Sequence, residues 1–136
     1  MHFTLKALGL GLVMMSGVAM AEITDFDSFN AFVKEKNIMP ECSTCHAVDA
    51  KKIGPSYNAV ALHYKDKEGA AAELAKKITE GGSGVWGPAM MTPNASAKDH
   101  TETLVKWILS LNPEGDAKAD AEKEIAAMPK AEAKAE

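Results

Sequence analysis

Cys42-Ser43-Thr44-Cys45-His46 is the stretch on which the reading of this chain turns. These are the only two cysteines among 136 residues, and they lie two residues apart with an imidazole directly after the second. Three chemistries use such a pair. A thioredoxin-like redox pair needs a strand running into a helix, and no strand pattern precedes Cys42. A structural zinc site needs four ligands, commonly from two such pairs. There is no second pair here, and His63 and His100 are not spaced as in a zinc module. The third chemistry is covalent attachment of a c-type haem. Each thiol forms a thioether to one vinyl group, and the adjacent histidine comes to lie under the iron. The motif therefore points to one haem c, held by Cys42 and Cys45, with His46 as a metal ligand.

The chain upstream fits that chemistry. Lys6 and the apolar run Ala7 to Met15 lead to Ala19-Met20-Ala21, small residues at the positions a signal peptidase reads. Residues 1–21 are predicted to be a cleavable export signal, with a mature chain beginning at Glu22. Haem attachment of this type takes place in an exported compartment, so the predicted location is the periplasm. No apolar run of about 20 residues occurs past that signal, which excludes a membrane-spanning body. All 15 basic side chains are Lys, against 19 acidic ones. The absence of Arg and of a basic surplus argues against a nucleic-acid partner.

Downstream and around the motif, the pattern is helical. Phe26, Phe29, Phe32 and Val33 recur at helical spacing in 22–37, with Thr24 or Asp25 as a cap. Pro55 stands at a second helix start, followed by the stripe Tyr57, Val60, Ala61 and Tyr64. Residues 70–80 form a third helix, stopped by Gly81-Gly82. Residues 81–95, GGSGVWGPAMMTPNA, are predicted to be a long functional loop, too rich in Gly and Pro for helix or sheet. Ser96-x-x-Asp99 opens a last helix carrying Leu104, Val105, Ile108 and Leu111. Residues 113–136 are nearly all Ala, Glu, Lys and Asp, and are predicted to be a flexible tail. The folded body is then 22–112: an all-α domain of about four short helices. Its core is marginal for its size. A haem supplies several hundred Å² of apolar surface, on the order of 10 kcal/mol gross, and would complete it.

The second axial ligand decides between an electron carrier and an open haem. Met39 is too close to Cys42 to cross to the other face. His63 lies off the apolar stripe, His100 sits in the first turn of the last helix, and Met128 lies in the tail. Met90 and Met91, in the Gly/Pro-rich loop, remain. At this point CSTCHAVDAKKIGPSY, GAAAELAKKITEGGSGVWGPAMMTPN and LVKWILS resemble the small bacterial cytochrome c-551 family of monohaem class I cytochromes c, over about residues 42–111. The resemblance implies the class I cytochrome c fold and selects Met91 as the axial methionine. It also implies that the Pro55 carbonyl orients His46, that Trp86 hydrogen-bonds a haem propionate, and that Asn94 steadies the Met91 sulfur. The function it implies is a non-enzymatic, monomeric electron shuttle in a respiratory chain. Its partners would be periplasmic reductases or oxidases and membrane quinol-oxidising complexes. The alternatives are a haem-bearing subunit of a larger complex, or a gas- or peroxide-binding haem protein with a displaceable Met. Two features depart from the family: a longer link at 37–41 and the tail itself.

The intact mass of the purified protein in denaturant should equal residues 22–136 plus one haem. A haem-free mass, or retention of residues 1–21, would refute this reading.

Overall fold

A computed structural model of the chain describes residues 22–130. Residues 1–21, expected from the sequence to be an export signal, and the last six residues lie outside the described residues. The elements run α1 (Phe26–Glu35), a 3-10 turn at Cys42–Thr44, α2 (Tyr57–Tyr64), α3 (Ala70–Glu80), β1 (Gly82–Gly84), β2 (Gly87–Met91), a 3-10 segment at Ala95–His100, α4 (Thr101–Ser110) and α5 (Gly115–Ala126).

The cap of α1 is Asp25. Its carboxylate accepts the Ser28 backbone N–H at 2.8 Å, and the Ser28 hydroxyl closes a reciprocal capping box. The inward face of α1 meets the core at Phe29 and Val33, both 1% exposed. Phe29 packs 4.4 Å from Trp107 of α4 and edge-on to Tyr57 of α2, ring centre to ring centre. Trp107 is thus core packing. Phe26 lies against all three of these rings, making a four-ring aromatic cluster that ties α1, α2 and α4 together. Helix α3 joins from the side. The Tyr64 hydroxyl donates to Glu73 Oε1 at 2.8 Å, linking the end of α2 to α3.

Three expectations from the sequence need correction. The stretch 81–95 is not all loop: β1 and β2 form a short antiparallel ribbon, with Gly82 opposite Met91 and Gly84 opposite Gly87. The glycines there take positive φ, at +127° for Gly82, +107° for Gly84 and +119° for Gly87. They turn the chain tightly enough for pairing where their composition alone suggests irregular backbone. The helix expected to open at Ser96 begins instead at Thr101, after a 3-10 segment. Ser96 does not cap it. Its hydroxyl accepts the Met39 N–H at 2.9 Å and donates to Asn94 Oδ1 at 2.7 Å, binding the 37–41 link to the loop after β2.

The third correction concerns the tail. Residues 115–126 form α5, which packs along α2. Ala117, Ala121, Glu124, Ile125 and Met128 recur at helical spacing and are the partly or fully buried positions of this segment. Ala121 is 1% exposed. Small side chains on that stripe let the two helix backbones approach closely, so docking needs little large apolar surface. The Glu124 carboxylate adds a hydrogen bond from the Ser56 backbone N–H at 3.0 Å. Helix α2, flanked by α4 and α5, is accordingly buried nearly all round, Asn58 and Ala59 included.

Truncation after Asn112 should therefore lower the unfolding free energy by about 2 kcal/mol, the worth of one hydrogen bond to a charged group with a small apolar contact. Chemical denaturation of the full and truncated holoproteins measures this, and equal stabilities would mean that α5 does not dock.

Candidate haem site

The chain around the Cys/His motif is pinned at both ends. The Cys42 carbonyl accepts the backbone N–H groups of Cys45 and His46, at 3.2 and 3.0 Å. Gly54 N–H donates to the Cys45 carbonyl, and Tyr57 N–H to that of Ala47, each at 2.9 Å. The loop from His46 to α2 is thus folded back on itself, and Lys52 Nζ closes it further on the Ser43 carbonyl at 2.8 Å.

This folding sets the imidazole. His46 Nδ1 lies 2.8 Å from the Pro55 carbonyl oxygen. A carbonyl only accepts, so Nδ1 carries the proton and Nε2 keeps its lone pair. The ring stacks on Tyr57 at 5.2 Å with 18° between planes, which connects it to the aromatic cluster. Burial pushes the His46 pKa below its usual range; the Pro55 hydrogen bond opposes this and the nearby Lys52 charge adds to it. A neutral imidazole is the ligating form. Burial likewise raises the Cys42 thiol, with the Tyr57 hydroxyl working against the shift.

Two glycines matter here: Gly54, which the sequence pattern does not single out, and Gly81, which it marks only as a helix stop. A side chain at Gly54 would strike Cε1, Nδ1 and Nε2 of His46. Only a bare Cα lets the ring lie this close to its own loop. The signal available in the sequence was a glycine directly before Pro55, in a link only nine residues long from His46 to that proline. At Gly81 (φ +68°), a side chain would meet the backbone of Met91, Thr92 and Pro93. The end of α3 and the end of β2 touch there, and Asn94 N–H bonds to the Ile78 carbonyl at 3.0 Å beside that contact.

All seven residues singled out from the sequence border a single cavity of about 340 Å³. That volume falls in the range of roughly 300–1,000 Å³ usual for small-molecule and cofactor pockets. Cys42, Cys45, His46 and Pro55 come from the motif and its loop. Trp86 and Met91 come from the ribbon, and Asn94 from the loop beyond. Trp86 is half-buried and meets His63 edge-on at 5.3 Å. Met91 is half-buried, whereas Met90 is 64% exposed. Asn94 is buried, and its Nδ2 donates to the Pro40 carbonyl at 3.0 Å. The other methionine and histidine candidates stand away: Met39 is 62% exposed, and neither His63, His100 nor Met128 borders the cavity.

A largely apolar cavity with two thiols and a preset imidazole on its wall is the pocket of a covalently bound porphyrin. Comparison with known proteins agrees. Residues 32–112 match the cytochrome c sequence family. Cytochrome c-551 of Pseudomonas aeruginosa is 39% identical over 106 residues, covering 78% of this chain and 98% of that protein. Cytochrome c-552 of Hydrogenobacter thermophilus is 44% identical over 106 residues, covering 78% and 97%. The crystal structure of wild-type Nitrosomonas europaea cytochrome c552 superposes with a TM-score of 0.53 at 40% identity, covering 60% of this chain and 98% of that one. The chain belongs to the cytochrome c family, with the class I cytochrome c fold. It carries one haem c, covalently attached through Cys42 and Cys45.

Gly54→Ala should tilt the His46 ring off the Pro55 carbonyl and cost about 1–3 kcal/mol, as overpacking does. Thermal melts together with the low-spin optical spectrum of the holoprotein would register it. A variant indistinguishable from the parent in both would show that the ring has room to spare.

Proposed function

We propose that this cytochrome c is a periplasmic single-electron shuttle of a respiratory chain, with His46 and Met91 as the axial ligands of its haem iron. The observation that carries the reading is that a His46 ring preset by Pro55 and a half-buried Met91 border one largely apolar cavity. Haem c, when bound, supplies an iron that cycles between Fe(III) and Fe(II), and His/Met ligation raises its potential relative to bis-His ligation.

The protein's part is positional. Pro55 and Gly54 fix the imidazole, and Gly81 and the ribbon fix Met91. Asn94 holds the loop after Met91 against the 37–41 link, and its second amide proton is the one available to the Met91 sulfur. The Trp86 indole N–H serves a propionate. With His46 and Met91 both holding the iron, no position would be left on it for a substrate, and the protein would act as a carrier and not as an enzyme.

Around the cavity mouth lie exposed apolar side chains, Ile53 at 59%, Val85 at 36% and Met90 at 64%. Such a rim suits brief docking of a redox partner by a monomer that must then dissociate. The partners are periplasmic reductases or oxidases and membrane quinol-oxidising complexes. The c-551 and c-552 relatives support this carrier role, and the export segment at 1–21 supports the compartment.

Met91→Ala should abolish the near-infrared sulfur-to-iron band of the ferric protein and open the iron to exogenous ligands, while Met90→Ala should leave both unchanged. The reverse result would move the ligand to Met90. A parent protein that lacks the band and already binds such ligands would favour the gas- or peroxide-binding alternative.

A further inference from the structure

One peptide group in this structure is used from both sides. The Pro55 carbonyl accepts the His46 Nδ1 proton at 2.8 Å. The N–H of the same peptide unit, that of Ser56, donates to the Glu124 carboxylate at 3.0 Å. A trans peptide sends its C=O and N–H in opposite directions, so the imidazole and the carboxylate lie on opposite sides of one planar, polarisable group. Ser56 is 1% exposed, and its hydroxyl is occupied in capping α2 through Ala59 N–H at 3.1 Å. Glu124 comes from α5, twelve residues past the end of the family match at 112.

We infer that Glu124 is a positioning residue for the haem: its carboxylate acts on His46 through the Pro55–Ser56 peptide and lowers the reduction potential. Metal-ligating histidines commonly donate their second ring proton to a carboxylate or a carbonyl, and that partner raises the basicity of the ligating nitrogen. Here both partners are present in series. A negative charge on the peptide N–H pulls electron density toward the carbonyl oxygen, which makes it a stronger acceptor, because chained hydrogen bonds polarise one another. The Nδ1 proton is drawn further from the ring, Nε2 becomes the better donor, and the ferric state gains more than the ferrous. Helix α5 therefore does more than cover α2: it brings a tuning charge to the back of the histidine. This inference rests on the reading of His46 as an axial ligand.

The test uses full-length holoprotein and the variants Glu124→Gln, Glu124→Ala and Glu122→Gln. Glu122 is an exposed neighbour on α5, paired among the described residues with Lys118 at 3.7 Å, so its substitution removes the same charge without touching the relay. Redox titration should find the ferrous-to-ferric ratio at a fixed ambient potential raised about threefold in Glu124→Gln, or about 28 mV at 59 mV per tenfold for a one-electron couple. Glu124→Ala should shift it further, and Glu122→Gln not at all. In the ferrous protein, NMR should show the Ser56 amide and His46 Nδ1 protons exchanging faster in both Glu124 variants. If Glu124→Ala unfolds, the isosteric Glu124→Gln carries the test. An unchanged potential in Glu124→Gln, or an equal shift in Glu122→Gln, overturns the inference even where the parent spectrum is that of a His/Met haem. A parent spectrum without His ligation overturns the functional reading instead.

Discussion

The hydrogen bond from His46 Nδ1 to the Pro55 carbonyl is the contact around which this molecule is arranged. It decides which ring nitrogen is free, and it fixes the distance between the haem-attachment motif and the start of α2. Several local features serve it. Gly54 has no side chain because the ring occupies that space. Gly54 N–H is tied to Cys45, and Tyr57 N–H to Ala47, so the loop cannot lengthen without breaking both. Tyr57 then passes the constraint to Phe29 and Trp107, whose packing fixes α2 against α1 and α4.

The part of the cavity around Met91 is built on another principle. Met91 sits at the end of a five-residue strand that pairs with only three residues, two of them glycine. What positions it is backbone contact: Gly81 against the Met91–Pro93 chain, and Asn94 N–H on Ile78. Asn94 and Ser96 then fasten this loop to Met39 and Pro40. The 37–41 link thus has a structural use, serving as the anchor to which the Met91 loop is tied.

Much of this was legible in the sequence, for physical reasons that differ by element. Covalent attachment requires thiols and imidazole at fixed short spacing, so Cys42, Cys45 and His46 announce themselves. Helix α3 is flanked by Gly69 and Gly81, and its limits at Ala70 and Glu80 are those the pattern predicts. The ribbon was hidden because composition reports the average of its glycines and not their positive φ angles. The start of α4 was misplaced because a distant group, the Met39 N–H, takes the Ser96 hydroxyl that local spacing would assign to a cap. Helix α5 was missed because counting large apolar residues overlooks alanines at helical spacing, whose value lies in how closely they let two backbones approach. Glu124 had no signal at all. Its partner is 68 residues away, and only the fold brings them together.

The aromatic column behind His46 has a consequence for how the site comes apart. Stacked and edge-on rings run from Phe26 through Phe29, Trp107 and Tyr57 to the imidazole itself. Displacing His46 means dismantling part of the core, and such openings lie near the global unfolding free energy. The Met91 wall is a short ribbon with exposed residues between its ends, and openings of that kind lie much lower on the same scale. The two sides of the cavity therefore differ in compliance. Under heat, denaturant or alkali, this molecule should yield from one direction, with the ribbon lifting away while the histidine side stays seated.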